Sequence, residues 1–116
     1  MERHTARAPP SNIKDALREA PLGHFQAVVM KLVEELGEDA YGFKIEKILE
    51  TISIDTSQIY STFKKLENRT FLQKVGERKS DQGGPPRKVW KLTPKGRQAL
   101  QETLAHYQAV VLLLQR

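Results

Sequence analysis

Three observations predict a mostly α-helical fold with one small β-hairpin, an α+β arrangement. Apolar residues recur at helical spacing in three consecutive stretches between Leu22 and Leu72. The period then changes to alternation on either side of a Gly- and Pro-rich segment, as two short strands joined by a loop require. From Pro94 helical spacing returns and runs to Leu114 as a heptad stripe.

The elements follow in order. Met1 to Pro10 is polar, ends in a Pro pair and is expected to be a disordered tail. Ser11 stands where it can cap a short helix with Ile13, Ala16 and Leu17 on one side, so residues 1–20 read as tail plus short helix. Pro21 breaks that helix and can open the next. Leu22 to Leu36 carries a wide apolar stripe of Phe25, Val28, Val29, Leu32, Val33 and Leu36, and Gly37 ends it. Glu34, Glu35, Glu38 and Asp39 form an acidic cluster there, read as a solvated face. Ala40 to Ile52 is a second helix with Tyr41, Ile45, Ile48, Leu49 and Ile52 turned inward, and only Ser53 and Ile54 separate it from the third.

The third helix is the stretch around which the chain is organised. Ile59, Phe63 and Leu66, spaced i, i+4, i+7, mark its buried stripe. The opposite face carries Ser57, Ser61, Lys64 and Asn68, flanked by Gln58 and Lys65. Hydroxyls and amides can hydrogen-bond base edges and phosphates, and lysines neutralise phosphates. Asp55 fits the N-cap, with Gln58 completing a capping-box-like pattern. Two tightly joined helices, the second polar and basic outside, form the helix-turn-helix pattern.

Beyond Leu72, Gln73 to Glu77 and Arg87 to Leu92 read as strands. Lys88, Trp90 and Leu92 fall on one face of the second, Val89 and Lys91 on the other. The connecting loop and its flanks bear Arg78, Lys79, Arg87 and Lys88, a basic-tipped hairpin of the kind called a wing. Gly83 and Gly84 do not form a phosphate-cradling loop, since neither a helix nor Gly-Lys-Thr follows. Thr93 and Pro94 begin the last helix as N-cap and first residue. Along it Leu100, Leu104, Tyr107, Val111 and Leu114 keep a/d spacing, and from Ala109 to Leu114 it is apolar all round. Such an end must be covered. Packing on its own domain is one way; pairing with a second subunit is the expected one.

Composition limits the function. The 116 residues suggest one small domain, with no cysteine for a disulfide or thiolate metal site. There is no apolar run of about 18 residues and no apolar leader at the N-terminus, so a cytoplasmic protein with no membrane association is expected. The net charge of +5 is unevenly placed: residues 53–97 carry eleven positive and four negative charges, whereas residues 21–52 carry three against six. Charge gathered in one segment suits a polyanion. Catalysis is not expected. His4, His24 and His106 are far apart in sequence, and no HExxH, nucleophile elbow or close carboxylate pair occurs. No cofactor is called for. The competing class is a winged helix that binds an acidic protein, which the salt dependence of duplex binding would distinguish.

The chain also resembles the phenolic acid decarboxylase regulator (PadR) family of bacterial transcription factors. The matching residues are LGHF (Leu22 to Phe25), DAYGFKI (Asp39 to Ile45), IYSTFKKLE (Ile59 to Glu67) and GGPPRKVWKLTPKGRQAL (Gly83 to Leu100). The resemblance implies a homodimeric winged helix-turn-helix repressor on a palindromic operator, of the short type with a single C-terminal dimerisation helix. Residues 21–93 would then be the DNA-binding domain and 94–116 the dimerisation helix. By position it places Thr56, Ser57, Gln58, Tyr60, Ser61 and Lys64, with Lys65 beside them, at the major groove and its phosphates. Arg78, Lys79, Arg87 and Lys88 fall on the wing. It further implies that a flat aromatic effector can bind between subunits, though nothing here identifies one. Asp55 departs from the family's usual Ser, and Thr70 from the glycine that normally follows the third helix.

Overall fold

The structure, a computed structural model, describes residues 19–78 and 87–116. The expected tail and short helix, and the hairpin tip with Lys79, Gly83 and Gly84, lie outside the described residues. The elements are α1 (His24–Leu36), a single 3-10 turn (Gly37–Asp39), α2 (Gly42–Thr51), α3 (Ile59–Asn68), β1 (Leu72–Arg78), β2 (Arg87–Leu92) and α4 (Pro94–Leu114). This is the winged helix-turn-helix fold, with an antiparallel two-stranded hairpin after the third helix.

One core unites the elements. It is built from Val29, Met30 and Val33 of α1, Ile45 and Leu49 of α2, Ile59, Phe63 and Leu66 of α3, Leu72, Trp90 and Leu92 of the hairpin, and Ala99 of α4. The predicted α1 stripe is only partly the buried one. Val29 and Val33 reach the core with Ala27 and Met30, while Phe25, Val28, Leu32 and Leu36 stay at its margin, half-buried.

The two helices of the helix-turn-helix end in the same way. The Ile54 N–H donates to the Leu49 carbonyl and Ser53 N–H to Glu50; at the end of α3, Phe71 N–H donates to Leu66 and Thr70 N–H to Glu67. This is the paired bonding of a Schellman motif. It demands a left-handed residue at the reversal, and Ser53 (φ 61°) and Thr70 (φ 62°) occupy those positions without being glycine. The reversal at Ser53 turns Ile52 outward, 63% exposed, rather than inward as its spacing suggested.

The hairpin runs in register from Leu72 opposite Leu92 to Arg78 opposite Arg87, with a bulge between Lys74 and Gly76. Trp90 N–H donates to the Ala40 carbonyl at 2.8 Å, and Tyr41 bridges Val89. The chain entering α2 thus lies along the outer edge of β2. Val89, expected on the face opposite Trp90, is buried together with it at this bridge, whereas Lys88 is exposed.

Thr93 joins three elements. Its hydroxyl accepts the Gly96 N–H at 2.9 Å, capping α4, and donates to the Thr70 carbonyl at 2.6 Å. A Cβ on Gly96 would lie 2.1 Å from the Phe71 carbonyl oxygen, so α4 starts in contact with backbone at the end of α3. The face of α4 turned to its own chain is Gly96, Ala99, Thr103 and Ala109. Leu100 is half-buried against the core, but the rest of the heptad stripe faces out: Leu104, Tyr107, Val111 and Leu114 are exposed, as is Leu112.

Candidate nucleic-acid interface

The outer side of α3 and the residues leading into it carry the polar groups singled out in the sequence. Their local structure differs from expectation at the start. Asp55 does not cap α3; its carboxylate accepts the Ser57 N–H at 2.9 Å and the Ser57 hydroxyl at 3.2 Å, and Gln58 is the N-cap residue without a side-chain cap bond. The Ser57 amide, and then its hydroxyl, hold the Asp55 carboxyl below the ordinary carboxylate range. Short Asp side chains prefer such local turns to a distant amide. Thr56, Ser57 and Gln58 therefore sit in a turn before the helix, with only Tyr60, Ser61, Lys64 and Lys65 on the helix itself.

The polar side chains are braced against one another. Thr56 Oγ1 donates to Glu50 Oε2 at 3.4 Å, and the Ser61 hydroxyl lies 3.0 Å from the Gln58 carbonyl and 3.1 Å from Gln58 Oε1. Lys64 and Lys65 are exposed and form no ion pair among the described residues. Their charge is thus available to a polyanion. Tyr60 is 59% exposed, yet its hydroxyl donates to Glu46 Oε1 of α2 at 3.2 Å. Burial first, and the Glu46 carboxylate second, push the Tyr60 phenol above its usual range, so it is neutral at physiological pH.

Of the hairpin residues, Lys88 is exposed and Arg78 closes the described ladder opposite Arg87. Arg87 does not project freely. Its guanidinium lies 4.4 Å from the centre of the Phe43 ring and 5.1 Å from that of Tyr41, a cation–π arrangement that leaves its N–H edges for an anion. It fixes the loop end of the hairpin ladder to the N-terminal end of α2.

Sequence reasoning missed four contributors. Tyr41 and Phe43 hold Arg87, and Glu46 holds Tyr60. Arg69 donates to the Pro21 carbonyl at 2.7 Å and lies over the Phe71 ring at 4.5 Å, pinning the end of α3 to the start of α1. The aromatic pair flanking Gly42 was the one available signal; the partners of Glu46 and Arg69 are 14 and 48 residues away.

His24 and His106 both approach the edge of Tyr107, at 6.3 and 5.7 Å between ring centres. Among the described residues no group of three or more His, Asp or Glu is placed to hold a metal ion, and no helix is long and apolar enough to cross a membrane.

Comparison with known proteins agrees with this geometry. The profile of the transcriptional regulator PadR-like family matches residues 29–102. Among solved structures, the chain is similar to a PadR-like transcription factor from bacteroid fragilis determined by X-ray crystallography. The two share 28% identity with a TM-score of 0.63, over 78% of this chain and 86% of that one. None of the curated proteins compared matches the chain.

Proposed function

This chain belongs to the transcriptional regulator PadR-like family, and from that membership we propose that it is a homodimeric repressor that binds a palindromic operator in double-stranded DNA. The observation that carries the reading is the outer side of α3. Ile59, Phe63 and Leu66 anchor the helix in the core, and Ser57, Ser61, Lys64 and Lys65 are left exposed, as is Lys88 of the hairpin. A helix held in this way can enter the major groove while the wing meets flanking phosphates. Thr56, Gln58 and Tyr60 complete the groove-facing set, and Arg78 and Lys79 the wing set.

Homodimerisation is supported by α4. Leu104, Val111 and Leu114 are 56%, 51% and 77% exposed, an apolar strip left uncovered in a single chain. Two such strips would cover each other in a symmetric pair and set the spacing of the half-sites. Release by a flat aromatic compound between subunits is part of the same proposal. The Tyr107 ring, which lines an outward groove with Gln108, Val111 and Leu112, supports it by offering a stacking surface there.

Selection of bound duplexes from a random pool tests the reading. An enriched inverted repeat, with half-sites about one helical turn apart or a multiple of it, is the expected result. Failure to enrich any duplex would overturn it.

A further inference from the structure

Tyr60 is exposed on the candidate interface, but its ring is fixed from several sides. It lies across the α2 backbone at Gly42, where a Cβ would come within 3.0 Å of Tyr60 Cε1. The Phe63 ring backs it, with centroids 6.4 Å apart. One helical turn beyond Gly42, Glu46 Oε1 accepts the phenolic proton at 3.2 Å. Gly42 and Glu46 thus form a seat, the first for the ring and the second for the hydroxyl.

The seat has a chemical consequence. A neutral phenol has a single proton to give. With that proton committed to Glu46, only oxygen lone pairs remain toward solvent. Such a group cannot donate to a phosphate or to the keto oxygen of guanine or thymine. What the phenol oxygen can do is accept from an exocyclic amine in the major groove, adenine N6 or cytosine N4.

From this geometry we propose that Glu46 is a positioning residue for base selection: it makes Tyr60 an acceptor-only group that selects adenine or cytosine over guanine or thymine at one position on one strand of each half-site. The proposal rests on the DNA-binding reading above. It assigns Tyr60 to a base edge and not to the backbone, and gives an acidic residue on a basic interface a definite task.

The experiment is duplex selection from a random pool with four proteins: wild type, Glu46→Gln, Tyr60→Phe and the double variant. The wild type should show one half-site position where A or C is favoured over G or T by about tenfold, the order typical of a single base position. Glu46→Gln offers an amide that can give or take a proton, freeing the phenol to donate. It should reduce that preference to about twofold or less, leaving the other positions and the salt slope of binding unchanged. Tyr60→Phe should collapse the same position, and adding Glu46→Gln to it should change nothing further.

The proposal is overturned if Glu46→Gln leaves every position as in the wild type. It is equally overturned if the two substitutions add, or if Tyr60→Phe changes only the salt slope. If the wild type enriches no duplex, the DNA-binding reading has itself failed, and this is seen before any variant is made. Melting curves check that Glu46→Gln is folded; should it not be, Tyr60→Phe alone decides, since the amine preference must vanish with the hydroxyl.

Discussion

Phe63 of α3 and Trp90 of β2 stack face to face across the core, with ring centres 5.1 Å apart and planes 5° from parallel. This contact couples the candidate reading helix directly to the hairpin, so the two surfaces expected to meet DNA share one rigid support. On the outer side Lys74 Nζ lies 5.5 Å from the Trp90 ring. Removing the indole would cost packing on both elements. Trp90→Ala should destabilise the fold by about 3–5 kcal/mol, a large part of the roughly 5–15 kcal/mol that holds a small domain together. Urea denaturation measures it. A loss below about 0.5 kcal/mol would mean that the stack is incidental.

Thr70 and Ser53 hold positive φ at the ends of α3 and α2. Glycine adopts that conformation freely, whereas a β-branched residue resists it. The bonds made at Thr70 by Thr93 use the backbone carbonyl, which glycine retains. Thr70→Gly and Ser53→Gly should each stabilise the fold by up to about 1 kcal/mol, the strain relieved being partly offset by the greater freedom of glycine in the unfolded chain. Thermal melting decides. A lower melting temperature for Thr70→Gly would show that its side chain contributes more than its backbone strain costs.

Lys64 and Gln58 should separate affinity from selectivity. Lys64 is an exposed charge on the outer side of α3, so Lys64→Ala is expected to weaken binding to all duplexes and to lower the salt slope by about 1. Gln58, whose side-chain oxygen lies beside the Ser61 hydroxyl, should affect preference at one position when replaced by Ala. Titrations at several salt concentrations give both quantities. An unchanged slope for Lys64→Ala would remove that residue from the phosphate contacts.

The uncovered strip on α4 predicts assembly. Burying one leucine contributes roughly 2 kcal/mol, and a symmetric interface counts each substitution twice. Leu104→Glu with Val111→Glu should therefore dissociate the dimer and abolish tight operator binding, while the core residues Ala99 and Thr103 on the other side of α4 are untouched. Sedimentation of the wild type comes first. A monomer at micromolar concentration would sink the premise.

What the sequence determined by itself is the set of elements and their faces wherever one periodic signal dominates. The i, i+4, i+7 spacing of Ile59, Phe63 and Leu66 places those three in the core, where the structure buries them beside Thr62. Period reports burial because each element meets the core with one side, a property local to the chain. Only the tertiary structure decided the rest. Ile52 kept the period of α2 but is turned out by the reversal at Ser53, and Val89 is buried where the chain entering α2 runs along β2. Tyr60 could be read as a polar residue on an outer face, but not as a phenol whose proton belongs to Glu46. Such pairings depend on the angle and distance at which two helices cross. Those are set by the packing of the whole core, and no spacing within a single segment encodes them.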